Sequence, residues 1–169
     1  MKFEIVQGDI TEQRADALVN AANTNIRMGG GVAGALREAA GEGIQREASR
    51  TAPIDLGEAV ETGAYELNSE YVVHAATMEL GGDANESTIR KATRNALARA
   101  DSLVCESVVL PALGCGIAGV ELDEGSCYIF EEIRDFEPMN LTDIRVIGHG
   151  ESSVQTMQRS AEKVCETRG

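Results

Sequence analysis

The sequence contains the spacing G-x-G-x-x-G twice, and each copy lies between an apolar run and a helical pattern. The copies occupy residues 29–34 and 114–119. Glycine lets the backbone turn sharply and approach a ligand closely, because it has no Cβ atom. A helix that begins just downstream offers unpaired N–H groups and the positive end of its dipole. One such loop is weak evidence of phosphate binding, but two in a small domain suggest a ligand, such as a diphosphate, gripped from both sides.

Strand and helix patterns alternate along the chain. Apolar or alternating runs predict strands at residues 2–7, 15–20, 57–65, 71–76, 107–111 and 144–147. Apolar positions at helical spacing predict helices over residues 32–44, 86–103 and about 122–134, and a last one from residue 152 or 153. This alternation predicts a largely parallel sheet covered on both faces, in a single domain over residues 1–169. Ligands of such sheets bind beyond the carboxyl ends of the strands, where both glycine loops would lie.

The charge balance limits the partners. With 28 acidic and 15 basic residues, the formal net charge is −13. Such a chain would be repelled by duplex phosphates, so we expect no general nucleic-acid binding. The acidic residues are spread along the whole chain, beside ordinary core segments. We therefore hypothesise a halophilic protein from a cytoplasm of very high salt, where charges are screened within about 3 Å at 1 M.

Other classes of protein lack support in the sequence. No apolar run is long enough to span a membrane, and no signal-peptide pattern is present. The four cysteines show no C-x-x-C spacing, and only two histidines could join them, so we expect no metal site. Reduced thiols in a cytoplasmic protein without a cofactor are the simplest interpretation.

The positions of the glycine loops argue against the common nucleotide folds. A dinucleotide fingerprint follows the first strand and has an acidic residue about 20 residues later. Here the first loop follows the second predicted strand, and the second loop follows the fifth. A Walker A loop is also absent, because no Gly-Lys-Ser/Thr occurs.

Segments around the loops resemble the macro domain, the ADP-ribose-binding family that includes proteins processing ADP-ribose 1″-phosphate. These segments are Gly8-Asp9-Ile10-Thr11, Val19-Asn20-Ala21-Ala22-Asn23, Gly29-Gly30-Gly31-Val32-Ala33-Gly34-Ala35 and Pro111-Ala112-Leu113-Gly114-Cys115-Gly116-Ile117. They occur in the family's order across nearly the whole chain. Residues 74–78 and the glycine turn at 81–82 look like the stand-alone branch of archaea and bacteria. The resemblance implies a three-layer α/β/α fold with a mixed, mostly parallel central sheet, and ADP-ribose or an ADP-ribosylated protein or small molecule as partner.

The resemblance assigns roles at the two ends of the ligand. Asp9 would accept a hydrogen bond from the adenine amino group, although an aspartate here can also be a turn or helix cap. Ile10 would pack beside the adenine, or equally in the core. His149, where many relatives have an aromatic residue, would stack on the adenine or be a surface histidine. Asn23 would bond the distal ribose hydroxyls, whereas Asn20 is expected to be structural.

The glycine loops would hold the middle of the ligand. Gly30, Gly31 and Val32 would lie against the distal ribose and the diphosphate. The opposite wall would supply backbone N–H groups to the phosphates; its ligand-binding residues are Gly114, Cys115, Gly116, Ile117 and Ala118. Backbone amides and helix starts explain how so acidic a chain can bind a dianion without a lysine cluster. Arg27 could assist, or be solvated surface.

Three positions depart from common family patterns. Ala33 stands where one hydrolytic branch has an aspartate, so that branch's acid-assisted mechanism does not apply. Cys115 replaces the more usual serine or threonine. As a nucleophile it would need a nearby base, and we favour a small residue that donates its backbone N–H. Ala118 lacks the aromatic ring that often covers the distal ribose. His74 is expected to be a satisfied core residue.

Two functions of different class follow. The first is hydrolysis of a mono-ADP-ribosyl ester, O-acetyl-ADP-ribose or ADP-ribose 1″-phosphate, with Asn23 and Gly31 as the catalytic positions. They would place a water against a substrate phosphate that acts as the base. The second is a reader that binds ADP-ribose without chemistry, which Ala33 and Ala118 favour. A nucleotide-dependent oxidoreductase is a distant third, because no catalytic partner accompanies the loops.

Overall fold

The central sheet has six strands. The structure is a computed structural model that describes residues 1–166. Its strands are β1 (Lys2–Gln7), β2 (Ala17–Asn23), β3 (Ala59–Gly63), β4 (Tyr71–Met78), β5 (Ser107–Leu110) and β6 (Asp143–Gly148). Their order in the sheet is β1-β6-β5-β2-β4-β3. Neighbouring strands are parallel except β3, which runs antiparallel to β4 at one edge.

Helices cover both faces of this sheet. They are α1 (Gly31–Ala40), α2 (Gly43–Thr51), α3 (Glu86–Ser102), α4 (Leu122–Asp135) and α5 (Glu151–Glu166), with short 3₁₀ turns at Ile10–Glu12 and Gly116–Ala118. One core cluster joins the sheet to α3, α4 and α5, and the others join it to α1 and α2. The predicted three-layer α/β/α architecture with a mixed, mostly parallel sheet is therefore confirmed.

The alternation of side chains along β2 shows how the two cores form. Successive side chains of a strand point to opposite faces. Ala17 and Val19 accordingly pack toward α3 and α4, whereas Leu18 packs toward α1 and α2. All three are fully buried because β2 is an interior strand with a layer on each side.

Among the element boundaries that differ from the sequence-based predictions, those of one helix and one strand have a clear physical reason. The predicted helix over residues 32–44 is two helices, since α1 ends at Ala40 and Gly41 adopts a φ of 100°. The spacing continued across this break because Leu36 and Ile44, on successive helices, bury against the same core. Strand β2 extends to Asn23, beyond the predicted end at residue 20, because its last residues pair with β4.

The sheet register opens a gap at the carboxyl edge. β5 pairs with β2 only at Ala17 and Leu18, and it ends at Leu110. β2 continues past this point and pairs with β4 as far as Asn23. The space beside the end of β2 is thus left for the loop that follows β5.

None of the helices within residues 1–166 is long and apolar enough to cross a membrane.

Candidate functional site

A cavity of about 550 Å³ fills the gap at the carboxyl ends of β2, β4 and β5. The first glycine loop (residues 29–34) forms one wall, and the second glycine loop (residues 114–119) forms the opposite wall. Asn23 ends β2 at its base, and the end of β4 supplies Thr77 and Met78. We refer to this cavity as the cleft. Both glycine motifs line the cleft, in agreement with their predicted position beyond the carboxyl ends of the strands.

The first wall is the uncapped start of α1. Gly30 occupies the N-cap position and has no side chain with which to cap the helix. Gly31, the first helical residue, has a φ of 59°, in the left-handed region that favours glycine. Open space surrounds the missing Cβ of Gly29 and of Gly30. The first N–H groups of a helix have no partner within it, so they remain for a ligand in the cleft.

The second wall is a tight loop whose hydrogen bonds are partly internal. Cys115 N–H donates to the Ala112 carbonyl at 3.2 Å, and Gly119 N–H donates to the Gly116 carbonyl at 3.0 Å. The Cys115 amide, which we expected to face a phosphate, is therefore engaged within the loop. The amides of residues 116 and 117 begin the 3₁₀ turn and are the ones left for a ligand. The side chain of Ile117 lies outside the described part of the structure.

The Cys115 thiol packs against α4. Its Sγ lies 3.8 Å from the Leu113 carbonyl and 3.9 Å from the Glu121 carbonyl. It also fills the space beside Gly125, where an added Cβ would collide with it. Burial, together with the nearby Asp123 and Glu121 carboxylates, raises the pKa of this thiol to about 11. The thiol is therefore protonated at neutral pH, which argues against a nucleophilic role.

Asn23 has a structural task as well as a place in the cleft. Its Oδ1 accepts from the N–H groups of Asn25 and Arg27, both at 3.1 Å, and its Nδ2 donates to the Arg27 carbonyl at 3.1 Å. These bonds close the turn that leads into the first glycine loop. The amide group has two N–H donors, so one remains for a ligand.

A buried polar chain runs across the sheet beside this turn. Thr62 donates its hydroxyl proton to the Gly63 carbonyl at 2.9 Å, so its oxygen accepts from His74 Nε2 at 3.0 Å. His74 Nδ1 then accepts from Asn20 Nδ2 at 3.0 Å. Burial lowers the pKa of His74 to about 4, so the ring is neutral. Both expectations hold: His74 is a satisfied core residue and Asn20 is structural, although its partner is an imidazole rather than backbone.

The electrostatics of the cleft differ from those of the whole chain. Its lining, within the described residues, includes no carboxylate. Arg27 is the one charged residue of that lining. No ion pair joins Arg27 to a carboxylate within residues 1–166. A chain of net charge −13 thus excludes negative side chains from the place where two helix starts converge.

Asp9 and His149 lie outside the cleft lining, at the ends of the adjacent strands β1 and β6. Asp9 Oδ1 accepts from Thr11 N–H at 2.9 Å and from the Thr11 hydroxyl at 2.7 Å, which makes Asp9 a cap. These bonds, and to a smaller degree the neighbouring His149, lower the pKa of Asp9. Its second carboxylate oxygen makes no hydrogen bond among residues 1–166 and remains for a ligand. Ile10 is only 6% exposed and packs in the core.

Several lining residues carry no chemical signature in the sequence. Thr77, Met78, Leu80 and Ala112 line the cleft, yet none of them was singled out as a ligand contact. The first three follow from the parallel pairing of β4 with β2, which brings both carboxyl ends to one place. Val32 and Ala118 line the cleft as expected.

Comparisons with known proteins agree on one family. The family model described as Macro domain matches residues 19–128. An uncharacterised protein of Mycobacterium tuberculosis is 42% identical over 153 residues, covering 90% of this chain and 43% of the relative. The chain thus spans less than half the length of the mycobacterial relatives that it matches.

Two solved structures extend the likeness to the fold. A mutant of the Oceanobacillus iheyensis macrodomain superposes with a TM-score of 0.86 at 26% identity, covering 96% of this chain and 92% of that one. The Trypanosoma brucei macrodomain in complex with ADP-ribose superposes with a TM-score of 0.83 at 28% identity, covering 92% of this chain and 67% of that one.

Proposed function

The chain belongs to the macro domain family, and on that premise we propose that it binds ADP-ribose and hydrolyses ADP-ribosyl linkages. The observation that carries the proposal is the cleft itself. The start of α1 lies in one wall and the start of the 3₁₀ turn in the other, and neither has a side-chain cap. No carboxylate is present among the described lining residues. Converging backbone N–H groups are suited to a diphosphate. Arg27 adds a positive charge at the rim.

The strand order gives the ligand a direction. Asp9 and His149 follow β1 and β6 at one end, and Asn23 ends β2 farther along the same edge. We place the adenine at Asp9, the diphosphate between the glycine loops and the distal ribose at Asn23. The free oxygen of Asp9 would accept from the adenine amino group, and the spare N–H of Asn23 would bond a ribose hydroxyl.

Hydrolysis would depend on position rather than on a protein base. A water held by Asn23 and the backbone at Gly31 would give its proton to a substrate phosphate as its oxygen attacks the anomeric carbon. For an ester on that carbon, the bond to the acceptor oxygen breaks and the acceptor carboxylate leaves. Alignment of the water in a clamped substrate supplies the rate.

A reader without catalysis is the second candidate. The described lining of the cleft contains neither a carboxylate nor a histidine, and the Cys115 thiol is protonated. A site without a protein base favours binding over turnover unless the substrate phosphate takes that role.

We further propose candidate substrates and a setting. The substrates are a mono-ADP-ribosyl ester on an acidic side chain, O-acetyl-ADP-ribose and ADP-ribose 1″-phosphate. The setting is the cytoplasm of a halophile, and the branch is the stand-alone one of archaea and bacteria. The acidic composition and the motif at residues 74–78 support these proposals.

Release of ADP-ribose from a glutamate-modified protein separates the two candidates. The enzyme proposal predicts steady release at high salt, and Asn23→Ala abolishes it because the water and ribose contacts are lost. Asn68→Ala is the control, since it removes an exposed asparagine that does not line the cleft. Calorimetry with ADP-ribose checks that each variant keeps its cleft. No release by wild-type protein that binds ADP-ribose would leave the reader, and unchanged release by Asn23→Ala would remove Asn23 from the mechanism.

A further inference from the structure

A second groove begins where the cleft ends. It has a volume of about 360 Å³ and lies between Thr24 and Asn25 on one side and Glu79 and Leu80 on the other, with residues 53–56 completing it. Leu80 lines both the groove and the cleft, so the two cavities lie next to each other on either side of this residue. We call this second cavity the exit groove.

Backbone hydrogen bonds hold the walls of the exit groove together. Thr24 N–H donates to the Met78 carbonyl at 3.0 Å, directly beyond the last β2–β4 pair. Ile54 N–H donates to the Thr24 carbonyl at 2.9 Å, which ties the 53–56 segment to the same turn. The residues that end the cleft, Asn23 and Met78, are therefore followed at once by residues that begin the exit groove. A group leaving the distal ribose beyond Asn23 would enter a formed groove.

We propose that the exit groove holds the polypeptide attached to the distal ribose, and that it favours a substrate with basic side chains beside the modified residue. The inference rests on the proposed function, because it takes the distal ribose to lie at Asn23. It adds a substrate class: modified sites in a basic sequence context.

The acidic lining of the exit groove is the reason to expect a preference for basic substrate side chains. Among the residues lining the exit groove, within the described part of the chain, are two carboxylates, Asp55 and Glu79, and no lysine or arginine. Both side chains are exposed, and neither makes an ion pair within residues 1–166. The cleft shows the opposite arrangement, with Arg27 and no carboxylate in its described lining. A ligand that is anionic at its diphosphate and cationic at its polypeptide would match both cavities.

Exposed carboxylates are common on this acidic chain, so their number alone has no weight. The position of these two is what matters. Glu79 follows β4 and Asp55 lies in the segment after α2, so the two residues come from different parts of the chain and line the same groove. A peptide leaving the cleft would pass between them.

The test uses short peptides that carry ADP-ribose on a central side chain through a linkage that water does not cleave. One peptide has lysines flanking the modified residue, and its partner has alanines. Calorimetry is done at the lowest salt concentration at which the protein retains its native circular dichroism. We expect the lysine peptide to bind about threefold to tenfold more tightly than the alanine peptide, as for exposed ion pairs. Added salt should reduce this preference.

Two double variants locate the effect. Asp55→Asn with Glu79→Gln should equalise the two peptides while free ADP-ribose binds as in wild type. Glu137→Gln with Glu162→Gln removes the same number of exposed charges elsewhere and should keep the preference. Equal affinity of wild type for both peptides, or a preference that survives in the groove variant, would overturn the inference. Loss of free ADP-ribose binding in folded wild type would instead overturn the proposed function.

Discussion

At the residue scale, the Asp9 carboxylate has one oxygen that stabilises the fold and one that is available to the proposed ligand. One carboxylate oxygen caps Thr11, and the other makes no hydrogen bond among residues 1–166. The hydrogen bonds from Thr11 hold the pKa of Asp9 below its usual value, so the group is a charged acceptor at neutral pH.

Asp9→Ala should weaken ADP-ribose binding by about 1–3 kcal/mol, the range for losing a charge-assisted hydrogen bond. Thr11→Val is the control, because it removes a hydroxyl that bonds Asp9 but keeps the carboxylate, and it should change the affinity little. Calorimetry on both variants measures the difference. Wild-type affinity in Asp9→Ala would mean that Asp9 is a cap and nothing more.

His74 predicts a pH dependence of stability. Burial lowers its pKa from 6.5 to about 4 in the folded chain, so the unfolded chain binds a proton that the native state excludes. The free energy of unfolding should therefore fall as the pH decreases from 6.5 toward 4, by about 1 kcal/mol per pH unit. The carboxylates Asp9, Glu61 and Asp101, whose pKa values are lowered, stabilise the fold at neutral pH, and they lose this contribution only at lower pH, where they become protonated.

Urea unfolding between about pH 7 and pH 5 isolates the imidazole, because ordinary carboxylates titrate below this range. His74→Asn should flatten the plot of the free energy of unfolding against pH, whereas His149→Asn, at an exposed position, should leave its slope unchanged. An unchanged slope in His74→Asn would show that another group carries the effect.

The residues that line the cleft were predictable where a motif encodes them and not where packing decides them. The motifs singled out Asn23 and the glycine loops, which line the cleft, whereas Asp9 lies outside that lining and its role in binding stays a prediction. The engaged amide of Cys115 depends on the loop closing on Ala112, which no spacing reveals. Thr77 has no distinctive pattern and reaches the cleft only because β4 pairs with β2.

At the scale of elements, the second glycine loop is fixed by its packing on α4. Gly125→Ala should destabilise the protein, because the new Cβ meets Cys115 Sγ and overpacking costs about 1–3 kcal/mol. In a Cys115→Ala background the same change should stabilise by up to about 1 kcal/mol, the helix propensity gained over glycine.

This change of sign is a coupling that a double-mutant cycle measures by urea unfolding. Cys115→Ala alone should also keep any ADP-ribose release, since its thiol is protonated and turned into the packing. Additive effects of the two substitutions would contradict the packing role. Loss of release in Cys115→Ala with intact binding would restore the cysteine as a nucleophile.

Elements were predictable from periodicity except where two of them share one core face. The break at Gly41 was hidden because α1 and α2 bury their apolar residues against the same cluster. The end of β2 was hidden because residues 21–23 have no strong strand pattern and are held by pairing with β4. In both places tertiary contacts decide the local structure, and the second lies at the cleft, which Asn23 lines.

At the scale of the whole molecule, the acidic surface predicts a dependence on salt. A net charge of −13 on 169 residues repels itself, and high salt screens that repulsion. The thermal unfolding midpoint should rise as salt is increased from about 0.1 M to above 1 M, over which the screening length falls from about 10 Å to about 3 Å. Stability that is constant down to low salt would reject the high-salt hypothesis.

The whole molecule also unites features that are far apart in sequence. The carboxyl ends of β1, β6, β5, β2 and β4 succeed one another along one edge of the sheet. In the proposed function, this order would take a ligand from Asp9, between the glycine loops, to Asn23 and on to the exit groove. Every step beyond binding, including hydrolysis and the choice of polypeptide, depends on ADP-ribose occupying that edge.

Calorimetric titration of the folded protein with ADP-ribose at high salt tests whether ADP-ribose binds in the cleft. We expect saturable binding at one site, weakened when Gly30→Val places a side chain in the open space of the first glycine loop, where the extended backbone accepts valine. Circular dichroism of the same samples confirms that the protein is folded. An absence of binding by folded wild-type protein would contradict the proposal that the cleft binds ADP-ribose.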